Sequence, residues 1–319
     1  EVFTKRVRFI FGTDEETLWR CMNRYNQIEE KADLGFAPDS SFPLTYAEKG
    51  LLQVKLHGPG WEDRPLQAGH ALNVVPDKAT YSGQRLEELL PVIEQSGVNY
   101  TEELGAVTVL GLSKHSKDAA EGVNAIVGLA ESLSLIQPHP ALLFIADAVG
   151  EDATGGALFG EIKDETFLKG TAVTLGTLSF NIATLSIDEE RSEIGIDIRI
   201  PVLADKDALV ERLIELASSY QLGYEEFDYL APLYVPLDSP LVSTLMAVYQ
   251  EETGDLTPAM SSGGATFART MENCVAYGAL FPGALQTEHQ ANERAKLEDL
   301  YDAMEIYAET IRRMATKND

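Results

Sequence analysis

Cysteine, basic charge and long apolar runs are all scarce in this sequence, and each scarcity excludes something. The two cysteines, Cys21 and Cys274, are too few and too far apart in sequence to frame a disulfide scaffold or a thiolate zinc site, which points to a reducing, cytoplasmic setting. No apolar run approaches the roughly 20 residues of a membrane-spanning helix, and Glu1-Val2-Phe3-Thr4 lacks the basic-then-apolar pattern of a leader. Against 51 acidic residues stand 25 basic ones, a net charge of -26 that repels nucleic acid and anionic lipid. Small neutral or cationic partners are expected. Low-complexity tracts, glycine-rich linkers and fixed-period repeats are also missing, so domain boundaries must be read from motifs.

What is there suffices for one large core or two medium ones: 319 residues, 45% of them apolar. Val7, Phe9 and Phe11 alternate with their neighbours and predict a strand over Lys5 to Phe11, ending in a turn at Gly12. A strand so soon reads as a chain that begins within a domain. Thr13 or Asp14 can then cap a helix in which Leu18, Met22 and Tyr25 share a face, with Glu15 and Glu16 in the first turn. The segment GFAPDSSFPLT, residues 35–45, predicts a loop that fixes Asp39.

Between Gly50 and about Met260 the pattern gives strands at 51–57, 71–82, 106–111, 172–187 and 193–200. Helices are expected near 84–95, 118–135, 205–219 and 239–252, an α+β arrangement with a hint of two related subdomains. The chain closes on a helix whose seam is Leu297, Leu300, Met304, Tyr307, Ile311 and Met314.

Several residues could carry chemistry. Adjacent carboxylates such as Glu15 and Glu16 suit metal-assisted hydrolysis, where one group ligates and one moves protons, although acidic residues in a first helical turn also oppose the helix dipole without further purpose. Asp39, held between Pro38 and Ser40, suits a hard or borderline cation, and it is equally an ordinary turn residue. His289, in FPGALQTEHQANE, follows a Pro-Gly turn, and a single loop histidine says little alone. Arg269, in GGATFAR, has the planar fork that grips a carboxylate at two points, or that makes a salt bridge.

Together, GTDEET, FAPDSSFP, GGATFAR and FPGALQTEHQANE, in this order and separation, resemble the aminoacylase/carboxypeptidase metallopeptidases, most of all their PepV-type dipeptidase branch. The resemblance implies an α/β catalytic domain, a mixed sheet flanked by helices, from residues 1–49 and 261–319. Residues 50–260 would form an inserted α+β lid. It implies Glu15 as general base, Glu16 and His289 as ligands of one metal and Asp39 as a ligand of the other. The two divalent ions would be zinc in the first place, manganese or cobalt otherwise. Asn73, in AGHALNVVP, and Arg269 would hold the substrate's free carboxylate, while His115, in GLSKHS, would stabilise the oxyanion.

The sequence departs from the family pattern at Lys114 and Ser116, where small residues are usual, and at Ala265, where a glycine is common. The family's upstream His-x-Asp strand and bridging Asp would precede residue 1, so the chain by itself is expected to bind metal poorly and to be inactive. The expected activity of the whole enzyme is hydrolysis of dipeptides, by a monomer with no nucleic-acid or membrane partner. Deacylation of N-acyl amino acids or of succinyl-diaminopimelate is the alternative within the family; a metal-free peptide-binding module is the alternative outside it.

Overall fold

The longest strands follow from alternation. In Gly50–Pro59, Leu52, Val54 and Leu56 are buried while the residues between them are half-buried, as one covered sheet face requires. The partner strand Arg191–Ile200 places Ile194, Ile196, Ile198 and Ile200 on the same side. These coordinates are a computed structural model that describes residues 3–16, 19–150, 152–168, 171–285, 287 and 292–316. The chain is a mixed α/β protein and divides into two compact units: Glu1–Lys49 with Phe167–Val173 and Pro232–Asp319, and Gly50–Thr166 with Thr174–Ala231.

In the second unit a five-stranded antiparallel sheet runs in the order Gly223–Leu230, Gly50–Pro59, Arg191–Ile200, Ser179–Ile187, Leu66–Ala68. Its apolar face shares one core with the helices Ala125–Ser134 and Lys206–Ser219. Cross-strand partners share a face, so the register Asn181 to Asp197 to Gln53, with Ser179 opposite Arg199, makes the other face polar. A three-stranded sheet of Lys78–Tyr81, Ala106–Leu110 and Tyr100–Glu103 also belongs to this unit.

Two expectations fail here. Of the strand predicted at 71–82 only Lys78–Tyr81 forms; before it, Gly69 at φ 74° turns the chain close against the Ala183 carbonyl, where a side chain would collide. The helix predicted at 118–135 splits into a 3-10 turn, Ser116–Glu121, and the helix Ala125–Ser134. Asn124 stops the first from running into the second, because its Oδ1 accepts from the N–H groups of Ile126 and Val127. Val123 therefore lies outside the helix and is exposed.

In the first unit the wholly buried strand Thr45–Glu48 is central. It pairs with Met260–Ser262 in parallel and with Leu233–Tyr234 and Cys274–Ala276 antiparallel; Gly35–Ala37 lies parallel beside the last. The predicted strand over Lys5 to Phe11 is not formed. Phe9 and Phe11 are 71% and 89% exposed, and the segment is tied down instead by Thr4 and Lys5 N–H groups donating to Ala315 O and by Arg8 donating to the Tyr25 hydroxyl. The terminal helix Leu297–Ala315 forms, but its buried stripe is Ala303, Ile306 and Thr310, a rotation of about one residue from the predicted seam. Leu297, Leu300 and Met304 are exposed.

Candidate functional site

In the first unit, Asp14 organises the corner GTDEET. Its carboxylate accepts from the N–H groups of Arg20 at 3.0 Å and Cys21 at 3.1 Å and thereby caps a helix that begins only at Arg20; the Cys21 side chain first, and then these bonds, hold it down to about pKa 2. Glu15 and Glu16 consequently sit in the turn ahead of the helix and not in its first turn, so the helix dipole does not account for them. Gly12 must lack a side chain, since a Cβ there would lie 2.1 Å from the Phe267 ring; Trp19 meets the same ring edge-on at 5.7 Å. Phe267 thus brings the motif GGATFAR against GTDEET.

Glu16 is exposed and Glu15 half-buried. Burial first, and then the negative charges of Asp39, Glu16 and Glu48, push the Glu15 carboxyl up to about 7. The structure therefore brings Glu15, Glu16 and Asp39 into one electrostatic neighbourhood.

Asp39 is exposed between two short parallel pairings, Gly35–Ala37 with Cys274–Ala276 and Ser40–Ser41 with Ala279–Leu280. The segment predicted as plain loop thus gains backbone partners on both sides, with the Tyr277 N–H donating to Ala37 O at 2.9 Å and the Phe42 N–H to Leu280 O at 2.7 Å. Beneath it Phe42 stacks on Tyr249 and packs edge-on against Tyr277.

Glu48, which sequence reading passed over, ends the central strand at 1% exposure. It accepts from Thr266 Oγ1 at 2.7 Å, Thr266 N–H at 3.1 Å and Arg269 Nε at 3.1 Å. Burial raises its carboxyl, opposed by the Arg269 charge and the Thr266 bonds. The Arg269 side chain is buried too; its Nη2 donates to Lys49 O at 2.8 Å and to Gly264 O at 3.0 Å. The available signal for Glu48 was a carboxylate closing an otherwise apolar run, TYAE.

Among the described residues no group of three or more His, Cys, Asp or Glu side chains is placed to hold a metal ion. His289 lies outside the described residues, as does Leu18. The described carboxylates therefore do not by themselves fit the two divalent ions that the resemblance implies.

In the second unit the structure brings Asn73 and His115 together. Val74 and His115 form an antiparallel bridge, the Val75 N–H donates to Lys114 O at 2.8 Å, and the Ser116 N–H to Asn73 O at 2.9 Å. Both side chains belong to exposed residues. Lys117 N–H donates to His115 Nδ1 at 3.1 Å, which leaves the ring proton on Nε2. Desolvation, then the charge of Arg199, lowers the imidazole to about 4, so the ring is neutral at neutral pH. Arg199 itself grips Asp197 through Nε at 2.7 Å and Nη2 at 3.1 Å, and Gln53 Nε2 donates to the same carboxylate at 2.9 Å. A cavity of about 300 Å³ in this unit, lined in part by Asn124, Val127, Phe180 and Asn181, contains none of the predicted residues.

Residues 2–313 match the model of Peptidase family M20/M25/M40. The chain is 34% identical over 336 residues to a Bacillus subtilis (strain 168) protein named "Putative dipeptidase YtjP", across 98% of this chain and 70% of the relative. A Staphylococcus aureus (strain USA300) protein with the same style of name is 31% identical over 330 residues, across 96% of this chain and 69% of the relative. Among solved structures, the aminoacylhistidine dipeptidase from Vibrio alginolyticus is similar over 91% of this chain and 67% of that one, at 10% identity and a TM-score of 0.47. Human carnosine dipeptidase 1 is similar over 93% and 61%, at 12% identity and a TM-score of 0.42.

Proposed function

The chain belongs to peptidase family M20/M25/M40, and from that premise we propose that the full-length protein hydrolyses dipeptides bearing a free C-terminal carboxylate, with Glu15 as general base. The observation that supports this role is the convergence of Glu15, Glu16 and Asp39 at one corner, where burial first, and then its acidic neighbours, push the half-buried Glu15 carboxyl up to about 7. A group so poised can take a proton from water as it attacks the peptide carbonyl, and return it to the leaving amine.

His115 Nε2–H is proposed to donate to the carbonyl oxygen as negative charge develops on it, a role that its neutral ring permits at working pH. Asn73, beside it, is proposed to meet the substrate's carboxylate. Arg269 shared that assignment on resemblance; because its guanidinium is engaged by Glu48 and two backbone carbonyls, we assign it to bracing the Glu48 corner instead. Divalent metal belongs to the same proposal, with Glu16, Asp39 and His289 as the ligands this chain would contribute and zinc the first candidate; a bound divalent ion supplies water more acidic than bulk.

The test is dipeptide hydrolysis by the full-length protein, with and without chelator, beside Glu15→Gln. The variant should lose about 10²- to 10⁴-fold in kcat, and chelation should abolish a rate that added zinc or manganese restores. A Glu15→Gln protein that keeps near-full rate rules out the base; a rate indifferent to chelator rules out the metal.

A further inference from the structure

His115 and Asn73 stand on a buried polar support. Ser116, wholly buried, has every polar atom engaged: its N–H donates to Asn73 O at 2.9 Å, its Oγ donates to Leu72 O at 3.0 Å and accepts from Asn181 Nδ2 at 2.8 Å, and its carbonyl accepts from Ser179 Oγ. Asn181 is 1% exposed. The same Nδ2 donates to Val74 O at 2.9 Å and lies 3.5 Å from Leu72 O, while Oδ1 accepts from Asn124 Nδ2 at 3.2 Å. One amide therefore ties the backbone on either side of Asn73 to the residue that follows His115.

Such a network is an expensive way to fill a core, because each buried polar group must recover the hydration it lost. What it supplies is a fixed geometry. The two segments it joins belong to no regular strand: past the ladder of Lys78–Tyr81 with Ala106–Leu110 and the Gly111 N–H donating to Asp77 O at 2.8 Å, they pair at one bridge, Val74 with His115, so the side-chain bonds hold the end of that pairing where the ladder has stopped.

We infer that Asn181, acting with Ser116, is a positioning residue that fixes the His115 imidazole and the Asn73 amide relative to each other for the reaction. The inference rests on the roles proposed above for His115 and Asn73. Asn181 touches no reacting atom; it acts through the two side chains it places. Strand register supports the same division of labour: Asn181 lies opposite Asp197, whose carboxylate is already taken by Arg199 and Gln53, so the amide is directed to the loops above the sheet.

The experiment uses the full-length protein with Asn181→Leu, which keeps side-chain bulk but has no donor, and Ser116→Ala as a milder change should the first fail to fold. Dipeptide kcat should fall about 10- to 100-fold, since small misplacements of a group near the chemistry have effects of that order. In a His115→Ala background the same substitution should cost less than about threefold, whereas a merely structural change would multiply the losses. Ring ¹⁵N chemical shifts give a readout independent of activity: the His115 pattern of an accepting Nδ1 and protonated Nε2 should be lost in Asn181→Leu, with that of His57 unchanged. A His115 pattern that persists in folded Asn181→Leu, or losses that multiply, overturns the positioning role. His115→Ala with undiminished rate overturns the role of His115 itself, so the two failures are told apart.

Discussion

At the scale of single residues, Glu48 and Arg269 show how a residue singled out by a motif can meet a partner inside its own chain. GGATFAR presents an arginine suited to a carboxylate, and it does bind one, but the carboxylate belongs to this chain. Charges at 1% and 2% side-chain exposure depend on each other, because losing one leaves the other desolvated and uncompensated. Arg269→Met should therefore destabilise the first unit by about 3–5 kcal/mol. Combining it with Glu48→Gln should cost less than the sum of the two single changes, since no buried charge is then left over. Urea unfolding of the three variants checks this, and an additive result would mean the two side chains do not stabilise each other.

At the scale of elements, the sequence was most legible where one face is covered. Gly50–Pro59, Ser179–Ile187, Arg191–Ile200, Lys206–Ser219 and Pro240–Thr253 all carry apolar residues at the period of their element and lie close to where that period places them. Gly223–Leu230 was missed, because an edge strand carrying Glu225, Glu226 and Asp228 and exposed over most of its length has no apolar alternation to read. The segment Lys5 to Phe11 failed in the opposite way: alternation is present, but a strand is a property of two segments. In the candidate site, the corner carboxylates, His115 and Asn73 were each singled out through motifs, whereas the adjacency of His115 and Asn73 was not legible. Glu48, Ser116 and Asn181 were not, since a buried polar side chain looks in sequence like any surface one. Caps lie between these cases. Ser239 accepts from Val242 N–H at 3.2 Å and, among the described residues, its side chain does only that, whereas Asn124 caps its helix and also donates to Asn181 Oδ1 and, at 2.7 Å, to Ile182 O. Replacing Ser239 with Ala should cost roughly 1 kcal/mol. Asn124→Ala should cost more, because buried acceptors lose their donor as well; equal midpoints in urea for the two variants would show that the cross-links from Asn124 contribute nothing.

At the scale of the whole molecule the dominant fact is charge. Even with every lysine and arginine paired, the net charge of -26 leaves that many carboxylates with no base to answer them. Described ion pairs such as Arg6 with Glu30 and Lys31 with Glu272 are solvent-exposed, and pairs of that kind contribute about 0–1 kcal/mol each. Added salt weakens these attractions and the general repulsion together, and repulsion has the larger share because the imbalance is global. The Debye length falls from about 30 Å at 0.01 M to about 8 Å at 0.15 M, so carboxylates on opposite sides of a unit cease to feel one another while close pairs still do. The melting temperature should therefore rise over that range of sodium chloride at neutral pH. A control in which several exposed glutamates are changed to glutamine should show a higher starting value and a smaller rise. A melting temperature that falls with salt would mean that specific pairs outweigh the excess negative charge, and that the acidic surface is organised more tightly than its composition implies.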